Sequence, residues 1–285
     1  MGKKSEASFS QREGFEPVKN IIQVDNMDRD LRNSLWNALC IWYWKRARAK
    51  YISEDENISI FVSILWLNYF KEPIDTLPDY WPHVLEYIRK YYFECKWNNV
   101  YDFIDFIARN SPDTTINREF MKSCNRYLEK ELSAYRFVGG ILTPITSEEE
   151  ITEIEEALGA DFLKPVHTHL KTALSLFSDR KSPDYRNSIK ESISAVEAIS
   201  KLITKKPNAT LGDALKKIES KVDIHVALKK AFNKLYGYTS NEQGIRHSLL
   251  DESNLDFEDA KFMLVVCSAF INYLILKSPK AGIEF

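Results

Sequence analysis

The chain has 285 residues, with 39 Lys and Arg against 41 Asp and Glu, a formal net charge of −2, so no global basic field draws it to nucleic acid. Hydrophobic residues make up 44% and charged residues 28%, the balance of a folded protein with a core, and the length suits one large or two modest domains. Four cysteines, Cys40, Cys95, Cys124 and Cys267, form no CxxC pair, which argues against a zinc knuckle or a disulfide framework and fits a reducing, cytoplasmic setting.

Residues 1–13 are polar and charged, so no signal peptide is read there. The most apolar run, residues 262–276, is interrupted by Ser268 and Asn272 and flanked by Lys261 and Lys277. A membrane span needs roughly 20 apolar residues, so this run is expected to be a buried helix. Nine glycines and ten prolines are few for the length and favour long helices. All six tryptophans lie before residue 98, a shift in composition that indicates two domains.

In chain order, residues 1–12 are expected to be mobile and 15–24 extended. Asp28 starts a helix, with Asp28 and Asp30 where the helix dipole favours anions. Leu31, Leu35, Trp36, Leu39, Trp42 and Tyr43 recur at three and four spacing, a packed face, with Arg32, Asn33 and Asn37 off it. Helices are predicted over 56–70, 80–95, 100–108 and from Pro112–Asp113 to about 134. Their aromatics have the spacing of core, although an aromatic surface could also stack bases. Residues 137–145 differ: Gly139-Gly140 and Pro144 break any helix, while Val138, Ile141 and Leu142 suit a short hairpin or an extended connector.

The second half opens on 147–161, with seven acids and no base. Ser147 with Glu150 fits a capping box, and the run is a solvated helix face. A helix over 162–177 carries His167 and His169, which diverge at i and i+2 and make no chelate. Residues 181–234 hold twelve Lys or Arg against six Asp or Glu, either a solvated face or a rim that attracts phosphate. Within them a long helix runs from Asp184 to about Thr204, buried along Ile189, Ile193, Val196, Ile199 and Leu202 or Ile203. Arg186, Lys190 and Glu197 share its edge. Helices follow over 210–220, 224–236 and 256–277, the last apolar on most sides and central to a bundle.

Between the last two helices lies a polar loop with two glycines, residues 235–251, in which Arg246 and His247 are adjacent. Arg is always charged and its five donors fit a phosphate. His titrates nearest neutrality and can take or give a proton. Together they can hold a phosphodiester and move its protons. The plainer alternative is an Arg bound to backbone carbonyls and a His capping a helix. No P-loop, Rossmann glycine pattern or placeable Ser-His-Asp arrangement is present, and no cluster of metal ligands stands out, so neither metal nor cofactor is expected.

Two stretches carry a resemblance. Asp184-Tyr185-Arg186-Asn187-Ser188-Ile189-Lys190-Glu191-Ser192-Ile193-Ser194-Ala195-Val196-Glu197-Ala198, with Leu235-Tyr236-Gly237-Tyr238 and Gly244-Ile245-Arg246-His247, resembles the HEPN-type C-terminal domain of AbiJ-like abortive-infection proteins. Phe9-Ser10-Gln11-Arg12, Ile21-Ile22-Gln23-Val24-Asp25 and Met27-Asp28-Arg29-Asp30-Leu31-Arg32-Asn33-Ser34-Leu35-Trp36-Asn37 resemble the AbiJ N-terminal domain that often precedes it. The resemblance implies an all-α chain of two helical domains, residues 1–140 and 141–285, the second a HEPN-like bundle, with at most a short extended or hairpin connector. It also implies a homodimer with a cleft between protomers, RNA as substrate or ligand, metal-independent cleavage in phage defence, and a phage-derived trigger.

HEPN ribonucleases usually carry Arg, four to six residues, then His. Here His247 follows Arg246 directly, so either the pair is a compressed version or the fold is kept without the nuclease. In the first reading Arg246 and His247 are catalytic, and Arg186, Asn187, Lys190, Glu191 and Glu197 bind or orient the substrate. In the second the chain is a non-catalytic RNA- or nucleotide-binding, sensor or scaffold module of a defence system.

Overall fold

A computed structural model describes residues 9–13, 15, 21–46, 50–160, 162–179, 182–240 and 255–285. The chain is 71% helical, and the only sheet among the described residues has two strands. It divides into two compact units, Met1–Thr146 and Ser147–Phe285. That division leaves both strands in the first unit, whereas a division at 140/141 would part them.

In the first unit, residues 9–12, expected to be mobile, form a helical turn, α1 (Phe9–Arg12). Helix α2 (Arg29–Trp42) starts where Asp28 accepts the Leu31 amide, the N-cap geometry that satisfies an otherwise orphaned donor. Its Leu31, Leu35 and Leu39 are fully buried. Helix α3 (Glu56–Ile64), capped by Asp55, continues as a π-helical stretch (Leu65–Phe70) and stops at Lys71 in the left-handed conformation. Helices α4 (Trp81–Glu94), α5 (Trp97–Asn110) and α6 (Thr114–Lys130) complete the bundle, and α2 packs on α6. Trp36, Trp44, Trp66 and Trp81 are buried, as core spacing requires.

Strands β1 (Arg136–Val138) and β2 (Ile141–Thr143) pair antiparallel, with Phe137 opposite Leu142. Gly139 and Gly140 turn at φ 55 and 86. Both central residues of a two-residue turn thus have positive φ, the hairpin type that favours glycine. The Asn125 amide pairs with both backbone groups of Phe137, and Asp105 accepts the Leu142 amide, so α6 and α5 hold one strand each. Extended pairing also occurs outside the expected segments, as a bridge between Tyr51 and Tyr80.

Arg32 is not the off-face residue that spacing implied. Its Nη1 donates to Tyr92 O, Cys95 O and Phe93 O at 2.8, 2.9 and 3.3 Å, closing the C-terminus of α4, and the Tyr92 hydroxyl returns a bond to Arg32 O at 3.0 Å.

The second unit contains α7 (Glu148–Leu158), α8 (Lys164–Ser178), α9 (Tyr185–Thr204), α10 (Leu211–Glu219), α11 (Val226–Ser240) and α12 (Phe257–Lys277). Helices α8 and α9 form the closest pair, and α12 lies against α9, α7 and α8. Among the described residues α12 with the turn after it, Phe257–Ala281, is the one helical segment long and apolar enough to cross a membrane. Here it is built into the bundle. Met263, Leu264, Ile271 and Leu274 are buried, and Asn272 donates to the Glu153 backbone and carboxylate on α7 at 3.0 Å each. Burial pushes the Cys267 thiol on this helix up to about 12, which removes its reactivity near neutral pH.

Candidate functional site

The candidate site is built on α9. The helix begins at Asp184, which accepts the Asn187 amide at 2.9 Å. Its buried face includes Ile189, Ile193, Val196, Ile199 and Ile203, and buried Ser188 donates to Ala173 O on α8 at 2.8 Å. With that face fixed, the polar edge is fixed too. Arg186, Glu191 and Glu197 are half-buried, while Asn187 and Lys190 are exposed.

Four of these side chains are already engaged, Arg186 among them. The Asn187 amide donates to Asp184 Oδ2 at 2.7 Å and belongs to the helix cap. Glu191 Oε2 lies 2.7 Å from His169 Nδ1 on α8. Glu197 Oε1 accepts the Tyr236 hydroxyl at 2.7 Å. Lys190 stands exposed on the same helix, a cation available to a phosphate.

Sequence reasoning weighed His169 only as a metal ligand and left Tyr236 out of the site. The signal for His169 is the antiparallel pairing of α8 and α9, which brings residues 22 apart together. A carboxylate that holds one ring nitrogen of a histidine orients the imidazole.

Tyr236 belongs to the Leu235-Tyr236-Gly237-Tyr238 run, so its bond ties that run to α9. Helix α11 needs the tie, since no residue of its described side chains is fully buried. Besides this bond it docks through Phe232, whose ring centroid lies 3.8 Å from that of Phe270 on α12, and through the ion pair of Lys229 with Glu219 on α10. Arg246 and His247 lie in the segment after α11, outside the described residues.

One acidic group stands apart from this site. Asp28, Asp30 and Glu131 bring carboxylate oxygens within 4.8 Å of one another at the start of α2. Asp28 there is the N-cap, and each of the three already has an interaction partner.

The family described as AbiJ N-terminal domain 4 matches residues 7–160, more than half of the chain. The chain belongs to that AbiJ family. Membership associates it with abortive-infection defence. No curated protein and no solved structure matches it. The AbiJ match takes in the whole described first unit and α7, and stops before α8.

Three of the residues that carry the AbiJ resemblance are structural. Gln23 is buried, donates to Glu131 O and accepts the Asp28 amide, both at 2.6 Å. Asp28 caps α2 and Arg32 closes α4. The polar edge of α9 lies outside the match.

Proposed function

We propose that the second unit is a HEPN-like ribonuclease domain of an abortive-infection protein, acting as a homodimer in the cytoplasm and cutting RNA without a metal once a phage-derived trigger is present. The observation that carries this reading is the 2.7 Å bond from Tyr236 to Glu197. It anchors the helix that leads into Arg246 and His247 against the helix that bears Arg186 and Lys190. Tyr236, in one stretch that resembles a HEPN domain, is thereby bonded to Glu197 in the other, far from it in sequence.

In this reading His247 takes the proton of a ribose 2′-hydroxyl or supplies one to the leaving oxygen, a contribution of about 10²–10⁴-fold. Arg246, with Arg186, holds the phosphate and offsets the charge that develops on it. Lys190 and the basic segment around it draw the RNA in. Glu197 orients the loop through Tyr236. Two-fold symmetry brings a second Arg-His pair to the cleft and relieves the geometry of adjacent residues.

The test is cleavage of total RNA and tRNA by the wild-type protein and three variants. His247→Ala abolishes cleavage while the protein stays folded. Tyr236→Phe, which keeps the ring and loses the bond, lowers it. His169→Ala, which removes the imidazole held by Glu191, leaves it in place. Loss of cleavage in His169→Ala with full activity in His247→Ala would move the chemistry to the α8–α9 pair. No cleavage by the wild-type protein of any RNA would favour the non-catalytic binding or sensor module.

A further inference from the structure

A cavity of about 380 Å³ opens in the first unit, bounded by residues from α2, the start of α3, the start of α4 and the start of α6. Its size lies within the ~300–1,000 Å³ range of small-molecule sites. Every residue that lines it falls inside the AbiJ match, so it is independent of the nuclease reading.

The walls are aromatic: Trp42, Tyr43, Trp44, Phe61 and Trp81. These rings fix one another. Tyr43 stacks on Phe61 at 5.6 Å and 19°, and meets Phe120 edge-on at 5.1 Å. Trp44 lies 6.1 Å from Trp81. The polar groups of Trp42 and Tyr43 are taken, by Ser123 and Asn117. Burial holds the Tyr43 phenol well above its ordinary value, so it stays neutral. Among the described residues the Trp44 indole N–H is buried without a partner; otherwise the walls offer ring faces, whose negative quadrupole attracts cations.

The rim is acidic. Asp55 and Asp113 line the cavity, and among the described residues no Lys or Arg does. Both aspartates are helix caps, which is their structural role. Capping uses only Oδ1 in each, accepting from Ile58 N in one case and from Thr115 N and Ile116 N in the other. Among the described residues nothing donates to either Oδ2.

The geometry points to a binding site for an organic cation, a guanidinium or alkylammonium group enclosed by aromatic faces and paired with Asp55 and Asp113. Charge complementarity decides the class. Two carboxylates and no lining cation oppose a phosphate-bearing ligand, while an aromatic box with an acidic rim attracts a positive group on an apolar stem. Two sources share this chemistry: a free polyamine, and the arginine side chain of a peptide.

Titrations of the full chain followed by tryptophan fluorescence and calorimetry test this, because three of the six tryptophans line the cavity. The probes are spermidine, N-acetyl-arginine amide, its uncharged isostere N-acetyl-citrulline amide, and AMP. At least one cation saturates the signal, more weakly as salt rises, and the tighter of the two names the source. The citrulline derivative and AMP do not saturate it.

The double variant Asp55→Asn, Asp113→Asn keeps both caps, since Asn caps as well as Asp. It weakens cation binding about tenfold or more, the scale of a lost charge-assisted hydrogen bond. Circular dichroism confirms that the variant is folded. Saturation by neither cation at millimolar concentration, equal binding of AMP or the citrulline derivative, or unchanged affinity in the folded double variant would overturn the site.

Discussion

Arg32 joins two helices at a single point. Helical spacing places it off the packed face of α2, yet its guanidinium closes the last turn of α4, about 60 residues on, and the Tyr92 hydroxyl donates in return to the Arg32 carbonyl. No periodicity reports such a partner, because the partner is a set of backbone carbonyls and carries no residue type. Gln23 escapes pattern reading for the same reason: it bonds Glu131 O across a separation of 108 residues. At this scale the sequence offers the residue types of the candidate site and hides their partners, Glu191 with His169 and Glu197 with Tyr236. Arg32→Met keeps the apolar stem and removes the donors. It is expected to cost about 2 kcal/mol, the scale of hydrogen bonds from a charged donor to carbonyls left unpaired. Urea unfolding of the two proteins measures this, and an unchanged midpoint would remove Arg32 from the account of the first unit.

The helices themselves were the most legible part. Long runs with a 3.6-residue period bury one face whatever their partners are, and caps such as Asp28, Asp113, Ser147 and Asp184 mark where they start. The hairpin was legible because two adjacent glycines supply two positive φ angles. What holds it was not: α5 and α6 grip it with side chains. Asp105 of α5 is the titratable part of that grip. Burial raises its carboxyl above the ordinary aspartate value, against the opposing pull of Arg109 and the Leu142 amide. As pH rises from about 4, the ordinary aspartate value, the unfolded chain loses this proton before the folded one does. This residue's share of stability therefore falls with rising pH until the folded group has also ionised. Asp105→Asn has no such share, so the stability of the variant relative to the wild type should increase with pH across that window. Denaturant titrations at a series of pH values give the difference, and a difference that falls with pH would contradict the burial argument.

The whole molecule joins two units of different legibility. Membership in the AbiJ family covers the first unit and reaches α7, and there Gln23, Asp28 and Arg32 help to build the fold. The second unit carries the basic segment, the polar edge of α9 and the adjacent Arg246 and His247. The helices of its described residues follow from sequence period. Its chemistry does not, because Arg246 and His247 are adjacent where the HEPN ribonucleases that the sequence resembles separate them. The central claim is that this unit cuts RNA with the ribose's own hydroxyl as the attacking group. The most direct measurement is the chemistry of the new RNA ends after incubation of the wild-type protein with total RNA in excess EDTA. The account predicts cleavage undiminished by the chelator, with products ending in 2′,3′-cyclic phosphate. Loss of all cleavage in EDTA, or products with free 3′-hydroxyl ends, would contradict it.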